Sequence, residues 1–284
     1  MGDANGSGEV VWLDDRLVAV DEARVSPFDH GMTVGDGVFE TLQVLRSTPF
    51  AARRHLGRLR RSAAGLGLVV PLDDGDLRRA MHAVIEANAV ERGRLRLTVT
   101  GGVAPLGSDR GTATPTVVVA TGSMSDREAS TSVVTVPWPR NERSAVAGLK
   151  STSYAENVVA LGYAHERGAS EALFANTVGN LCEGTGTNVF VGIDGRLVTP
   201  PLTAGCLAGI TRELVVELLG ERVDIEDLAM DRLADADEAF LTSSTRDVQP
   251  IHSIDGRPLP TTPGPLTSAA AAAFADLVAK EMDP

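Results

Sequence analysis

Ala145-Val146-Ala147-Gly148-Leu149-Lys150-Ser151-Thr152-Ser153-Tyr154 holds one of only two lysines in a chain of 284 residues that carries twenty-four arginines. Arginine supplies positive charge wherever charge alone is wanted, but it offers no primary amine that can lose its proton and condense with a carbonyl. The other lysine, Lys280, lies four residues from the end of the sequence, where solvated lysines are ordinary. Lys150 instead stands behind an apolar run and ahead of hydroxyls, as a Schiff-base former would. The plain alternative is a lysine that survives by chance in an arginine-biased composition.

A cofactor held on a lysine, such as pyridoxal phosphate, has definite needs: cations and N–H groups for its phosphate, a carboxylate for its ring nitrogen, and a donor for its phenolic oxygen. Ala208-Gly209-Ile210-Thr211-Arg212-Glu213 reads as a helix start, whose N–H groups suit an anion; plain capping by threonine is the alternative. Gly179-Asn180-Leu181-Cys182-Glu183-Gly184-Thr185-Gly186-Thr187-Asn188 sets Glu183 before an apolar strand, as a partner for a pyridinium or as a solvated loop glutamate. Leu241-Thr242-Ser243-Ser244-Thr245-Arg246 clusters hydroxyls and an arginine at a strand end, for a phosphate or for a turn. Tyr154 follows Lys150 by four residues and would share its face if the segment were helical; a core tyrosine is the alternative. Arg53, Arg54, Arg58, Arg60 and Arg61 crowd one predicted helix, either as a solvated face or with one member turned inward to a phosphate. Gly31-Met32-Thr33-Val34-Gly35-Asp36-Gly37 lacks the GxGxxG spacing and precedes a strand, so a dinucleotide fingerprint is rejected.

Composition narrows the setting. With 43% hydrophobic and 23% charged residues the chain is globular. A net charge of −12 argues against nucleic acid and against anionic membranes as partners. No apolar run approaches the length of a spanning helix, and Met1 to Gly8, small and polar, reads as a disordered lead-in without a signal-peptide core. Cys182 and Cys206 read as buried thiols of a cytoplasmic protein, and His30, His55, His82, His165 and His252 have no metal-ligand spacing.

Periodicity predicts an α+β chain of two domains. In residues 1–120, strands are expected at Val10–Leu13, Leu17–Val20, Val38–Leu45, after Ser47, Arg94–Thr100 and Thr116–Ala120, with helices at Ala51–Leu66 and Leu77–Val90. Residues 121–130 read as a linker. In residues 131–284, which would carry the Schiff-base lysine, strands are expected at Val133–Val136, Ala172–Ala175, Asn188–Val191, Leu197–Thr199 and Ala239–Thr242, and helices at Ala155–Arg167, Gly209–Leu219 and Ser268–Lys280.

Together the segments resemble the class IV aminotransferase family. The resemblance rests on Asp29-His30-Gly31 with Gly35-Asp36-Gly37-Val38-Phe39-Glu40-Thr41, on His55-Leu56-Gly57-Arg58-Leu59, on Lys150 with its downstream tyrosine, on Glu183-Gly184-Thr185-Gly186-Thr187-Asn188-Val189-Phe190, and on Leu207-Ala208-Gly209-Ile210-Thr211-Arg212. It implies a D-amino acid aminotransferase-like fold of two α+β domains, pyridoxal 5'-phosphate between them, and a homodimer. Lys150 would carry the cofactor. Arg58, Gly209, Ile210, Thr211 and Ser244 would bind its phosphate, Glu183 its ring nitrogen, Tyr154 its phenolic oxygen, and Leu207 would pack on its ring.

Within the family, Thr100–Gly111 lacks the arginine–histidine pair of the D-amino acid enzymes, and Arg94-Leu95-Arg96-Leu97 lacks the tyrosine and proline of the branched-chain enzymes. The Gly107–Gly111 loop and Lys150-Ser151-Thr152-Ser153-Tyr154-Ala155-Glu156-Asn157 most resemble the 4-amino-4-deoxychorismate lyases, which form 4-aminobenzoate and pyruvate for folate synthesis. That lyase activity is the first expectation. Glu40, Arg96, Arg110 and Arg246 are its candidate substrate contacts. The alternatives are an aminotransferase of branched-chain amino acids, D-amino acids or amines, and a catalytically silent protein that binds pyridoxal phosphate.

Overall fold

A sheet of six strands and a sheet of nine organise the computed structural model, which describes residues 9–124 and 128–284. The expected lead-in Met1–Gly8 lies outside the described residues, as do residues 125–127 of the expected linker. By contacts the chain divides into two compact units. One comprises Met1–Asp126, Leu149–Ser153 and Glu281–Pro284, the other Arg127–Gly148 and Tyr154–Lys280.

In the first unit, β1 (Val10–Leu13) and β2 (Arg16–Ala19) form the expected hairpin, with Asp14 at φ 57 in its tight turn. A single helical turn, α1 (His30–Thr33), is capped by Asp29, whose side chain accepts the Gly31 N–H. There follow β3 (Gly37–Leu45), β4 (Thr48–Pro49), α2 (Ala52–Gly65), α3 (Asp74–Ala87), β5 (Arg92–Thr100) and β6 (Val117–Gly122). The sheet runs β2-β1-β6-β5-β3-β4 and is antiparallel throughout. Strand alternation decides its two faces. Val38, Leu42 and Val44 of β3 and Leu95, Leu97 and Val99 of β5 bury against Leu56, Leu59 and Ala63 of α2 and Leu77, Met81 and Val84 of α3. Arg94 and Arg96 alternate with the buried residues of β5 and are exposed. Asp73 caps α3 by accepting the Asp76 N–H, and Asp74 and Asp76 put acidic side chains in its first turn.

The second unit contains β7 (Thr131–Thr135), α4 (Ala155–Glu166), β8 (Glu171–Ala175), β9 (Leu181–Gly184), β10 (Asn188–Ile193), β11 (Arg196–Thr199), α5 (Ile210–Leu219), β12 (Val223–Ile225), β13 (Glu238–Ser243), β14 (Asp247–Ile254), β15 (Arg257–Pro258) and α6 (Pro265–Lys280). Its mixed sheet runs β12-β11-β10-β13-β14-β7-β8-β9, with β15 on β14. Every residue of β10 is buried, as a strand covered on both faces requires. Val134, Val136, Ala172 and Phe174 pack with Ala160 and Ala164 of α4, while α5 and α6 contact each other and the strands β13 and β14 respectively.

The grouping by contacts departs from the expected split at two places. Leu149–Ser153, with Lys150, groups with the first unit rather than with the residues that follow it, because it pairs with β3. The Phe39 N–H donates to Lys150 O at 3.0 Å and the Thr152 N–H to Gly37 O at 2.8 Å. Glu281–Pro284 likewise belongs to the first unit.

Candidate active site

The first unit holds Lys150 in extended chain, not in a helix. Its backbone N–H donates to Ser62 Oγ of α2 at 3.1 Å. The hydroxyls of Thr152 and Ser153 both donate to Gly35 O, at 2.8 and 3.0 Å. The hydroxyl-rich stretch therefore fastens the segment to the chain before β3. Lys150 Nζ lies 4.3 Å from the centroid of the Phe39 ring, and Arg96 Cζ lies 3.7 Å from the same centroid.

Beneath β3, on the face covered by α2, is a buried polar trio. Arg58 donates from Nε to Glu40 Oε1 at 2.8 Å and from Nη2 to Oε2 at 2.7 Å, and His55 Nδ1 meets Oε2 at 2.6 Å. Burial is the largest influence on the Glu40 carboxyl and pushes its pKa up. The Arg58 charge and the hydrogen bonds from Arg58 and His55 outweigh it and hold the pKa at about 2. Burial, opposed by Glu40 and aided by the charges of Arg58 and Lys150, lowers the pKa of His55. A neutral His55 must then carry its proton on Nδ1 to donate to the carboxylate.

In the second unit Glu183 sits in β9 with Oε2 accepting the Leu207 N–H at 2.8 Å and Oε1 3.4 Å from Arg140 Nε. Asn188 Nδ2 donates to Leu207 O at 2.8 Å, so Leu207 is gripped on both sides of its backbone. α5 starts at Ile210 behind Gly209, which is extended and makes no side-chain cap bond. A Cβ on Gly209 would stand 1.9 Å from Asn188 Oδ1, so the chain has room there only for glycine. Ile210 and Thr211 thus present first-turn N–H groups that no side chain caps, the donor set an anionic phosphate requires. Within the second unit, a fixed carboxylate and an uncapped helix start suit the ring nitrogen and the phosphate of pyridoxal phosphate; within the first, the Lys150 amine suits its aldehyde. Ser244 lies in the turn between β13 and β14, where Ser243 Oγ accepts the Arg246 N–H at 3.1 Å.

Four of the expected residues have partners or places that the sequence does not reveal. Glu40, a candidate substrate contact, is wholly buried with both oxygens engaged by Arg58 and His55. Arg110 grips Asp36 through Nε at 2.7 Å and Nη2 at 2.5 Å and also donates to Gly67 O, so it holds its own loop. Arg246 donates to Gln249 Oε1 at 2.5 Å and to Ser170 O at 3.0 Å, and so braces β14. Tyr154 precedes α4 as its N-cap residue in the second unit, so no helical face joins it to Lys150. Arg96 lies exposed on β5.

Sequence reasoning passed over Glu171, Arg140 and Arg212. Glu171 is buried and its carboxylate accepts from the Thr185 N–H at 2.9 Å, from the Thr185 hydroxyl and from the Thr187 hydroxyl, which folds the turn after Glu183. Arg140 lies over the Phe174 ring and pairs with Glu156. Arg212, buried, donates to Pro200 O at 2.8 Å. Only the alternation of β8 hints at Glu171, since a carboxylate at the head of an apolar strand needs partners. Burial, followed by the charge of Glu183, pushes both thiols up, Cys206 to about 12, so neither is a reactive cysteine. Among the described residues no cluster of metal-ligating side chains occurs, and no helix is long and apolar enough to cross a membrane.

Known proteins resemble this chain in sequence and fold. The family described as amino-transferase class IV matches residues 37–254. A candidate branched-chain-amino-acid aminotransferase of Methanocaldococcus jannaschii is 34% identical, covering 87% of this chain and 88% of its own. A D-alanine aminotransferase of Bacillus licheniformis is 33% identical, covering 90% and 93%. Among solved structures, a branched-chain amino acid aminotransferase of T.th. with pyridoxamine 5'-phosphate superposes at TM-score 0.89, with 26% identity and coverage of 95% and 94%. A candidate 4-amino-4-deoxychorismate lyase of Legionella pneumophila reaches 0.84, with 27% identity and coverage of 89% and 95%.

Proposed function

Since the chain belongs to the class IV aminotransferase family, whose enzymes use pyridoxal phosphate, we propose that it transfers the amino group of an apolar α-amino acid to a 2-oxo acid. The observation that carries this reading is the Phe39 ring with Lys150 Nζ at 4.3 Å and Arg96 Cζ at 3.7 Å. An amine, an apolar surface and a guanidinium fork suited to a carboxylate are what an amino acid with an apolar side chain demands.

Pyridoxal phosphate, when bound, supplies an aldehyde for the lysine and an electron-withdrawing ring. Lys150 would hold that aldehyde and, once the substrate amine replaces it, would take the proton from the substrate α-carbon at Nζ. Arg58, the Ile210 and Thr211 N–H groups and the Thr211 and Ser244 hydroxyls would hold the phosphate. Glu183 would keep the ring nitrogen protonated, since its own carboxylate is fixed by Leu207 N–H and flanked by Arg140. Leu207 would pack on the ring and Tyr154 would meet the phenolic oxygen. By its resemblance the enzyme would act as a cytoplasmic homodimer.

The lyase reading, the first expectation from sequence, is weaker. Arg110, on which it leaned, is committed to Asp36, and the relatives at 33% and 34% identity are named as aminotransferases. The branched-chain L-amino acids are preferred over D-alanine because Thr100–Gly111 lacks the arginine–histidine pair of the D-amino acid enzymes.

The test supplies L-leucine, L-valine or D-alanine with 2-oxoglutarate, and aminodeoxychorismate in parallel. Glutamate formed from the L-amino acids supports the reading. Pyruvate and 4-aminobenzoate without glutamate would overturn it in favour of the lyase. Borohydride reduction that leaves the Lys150 peptide unlabelled would remove the site altogether.

A further inference from the structure

We propose that Asp283 is a positioning residue: it caps α2 from the far end of the chain and so sets the helix that presents His55 and Arg58. α2 has no cap of its own. Its N-cap residue, Ala51, is left-handed at φ 54, fully buried, and has no side chain that could accept an N–H. The last four residues supply what is missing. Met282 O accepts the Ala51 N–H at 2.7 Å, and Asp283 Oδ1 accepts the Arg53 N–H at 2.7 Å. Asp283 Oδ2 takes Arg78 Nη2 of α3 at 2.9 Å, and Pro284 O accepts from Arg54 Nε at 2.9 Å.

One carboxylate therefore joins the backbone of α2 to a side chain of α3. A negative charge at this end also opposes the helix dipole's positive pole. His55 and Arg58 lie on the first two turns that follow, and both are locked to Glu40. A shift of α2 along its axis would be felt by the fork on Glu40, although Asp283 touches no member of the trio. The strap follows α6 directly, since α6 ends at Lys280 and Glu281–Pro284 belongs to the first unit.

The inference rests on Arg58 being a ligand of the cofactor's phosphate. The test uses the full chain, stripped of cofactor and titrated with pyridoxal phosphate and, separately, with pyridoxal, which lacks the phosphate; the absorbance of the lysine-bound cofactor reports binding. Asp283→Ala is expected to weaken pyridoxal phosphate by about three- to tenfold, as loss of a helix cap implies, and to leave pyridoxal within about twofold. Asp283→Asn, which keeps an acceptor for the Arg53 N–H, should lie between it and the wild type. Arg58→Ala is the control. If it leaves the preference for the phosphorylated ligand intact, the assignment of Arg58 fails and the inference with it. If Arg58→Ala lowers that preference and Asp283→Ala does not, or weakens both ligands alike, the strap is merely structural and the inference is overturned. Should Asp283→Ala fail to fold, Arg78→Ala removes only the α3 half of the bridge and is read in the same way.

Discussion

Glu40 and Arg58 meet as a two-pronged ion pair buried beneath β3, Nε to Oε1 at 2.8 Å and Nη2 to Oε2 at 2.7 Å, with Glu40 closed to water and Arg58 nearly so. Removing one partner of such a pair strands the other. Glu40→Gln is therefore expected to cost about 3–5 kcal/mol of folding stability, against about 1 kcal/mol for an exposed pair. Chemical denaturation would measure it, and a loss below about 1 kcal/mol would show that the pair adds little.

The same trio gives the enzyme an acid limit. The folded pKa values of Glu40 and His55 both lie below their ordinary values, so the unfolded chain binds more protons and stability falls as pH falls. The His55 contribution is complete above about pH 6.5 and fades below it, whereas that of Glu40 is complete above about pH 4.5 and fades towards its folded value of about 2. Melting temperature measured from pH 8 down to about pH 2 should decline in two stages. His55→Gln should flatten the first stage only. An unchanged profile in that variant would contradict the assignment.

Arg96 and Arg110 are both arginines of the first unit, but their surroundings differ. Arg96→Met should raise KM for the amino acid and for 2-oxoglutarate by about tenfold or more, the worth of a charge-assisted carboxylate contact. Arg110→Met should leave KM near the wild-type value and lower stability by about 1 kcal/mol, since its partner is Asp36. Steady-state kinetics together with thermal melts separate the two, and the reverse pattern would exchange their roles.

Gly209 and Asn188 are coupled by space. Gly209→Ala drives a methyl into Asn188 Oδ1 and must break the bond from Asn188 Nδ2 to Leu207 O, a loss of about 1–3 kcal/mol. Combined with Asn188→Ala, which removes the obstruction, the penalty should be less than additive. Strict additivity in the double-mutant cycle would mean that the two positions relax independently.

Glu171→Ala leaves the Thr185 N–H and two hydroxyls without their buried acceptor. A melting temperature lower by several degrees and faster hydrogen exchange at the Thr185 amide are expected. An unprotected Thr185 amide in the wild type would sink this account of the turn.

Much of the fold was legible because alternation is a strong signal wherever one face is buried. β3, β5 and β13 appear close to their expected bounds, and the acidic run before α3 is its cap. β14 was not legible, because Pro250 stands inside it opposite Phe240 and a proline ordinarily argues against a strand. β9 and β12 are short, and β4 has shrunk to two residues between left-handed turns at Arg46, Ser47 and Ala51.

At the site, the residue types were legible and their partners were not. Lys150 and Glu183 stood out by scarcity and by loop composition. Whether an arginine faces substrate or a carboxylate of its own chain depends on pairing across distant segments, as between Arg110 and Asp36, and no spacing encodes it. The condition for a shared face of Lys150 and Tyr154 is not met for the same reason: the lysine's segment takes its hydrogen bonds from β3, far behind it in the chain, and the expected helix starts only at Ala155.

That loan of Leu149–Ser153 to the first unit bears on how such enzymes can be recombined. A chimera joined once, in the stretch between β6 and β7, would take its reactive amine from one parent and the aromatic wall beneath it from the other. A graft that keeps Phe39, Ser62 and Lys150 of common ancestry needs two further seams, around residues 148 and 153, and a third near 280 keeps Glu281–Pro284 with the first unit. Shuffling libraries cut only at the apparent domain border should accordingly yield offspring whose lysine is set against a ring and a helix that did not evolve with it.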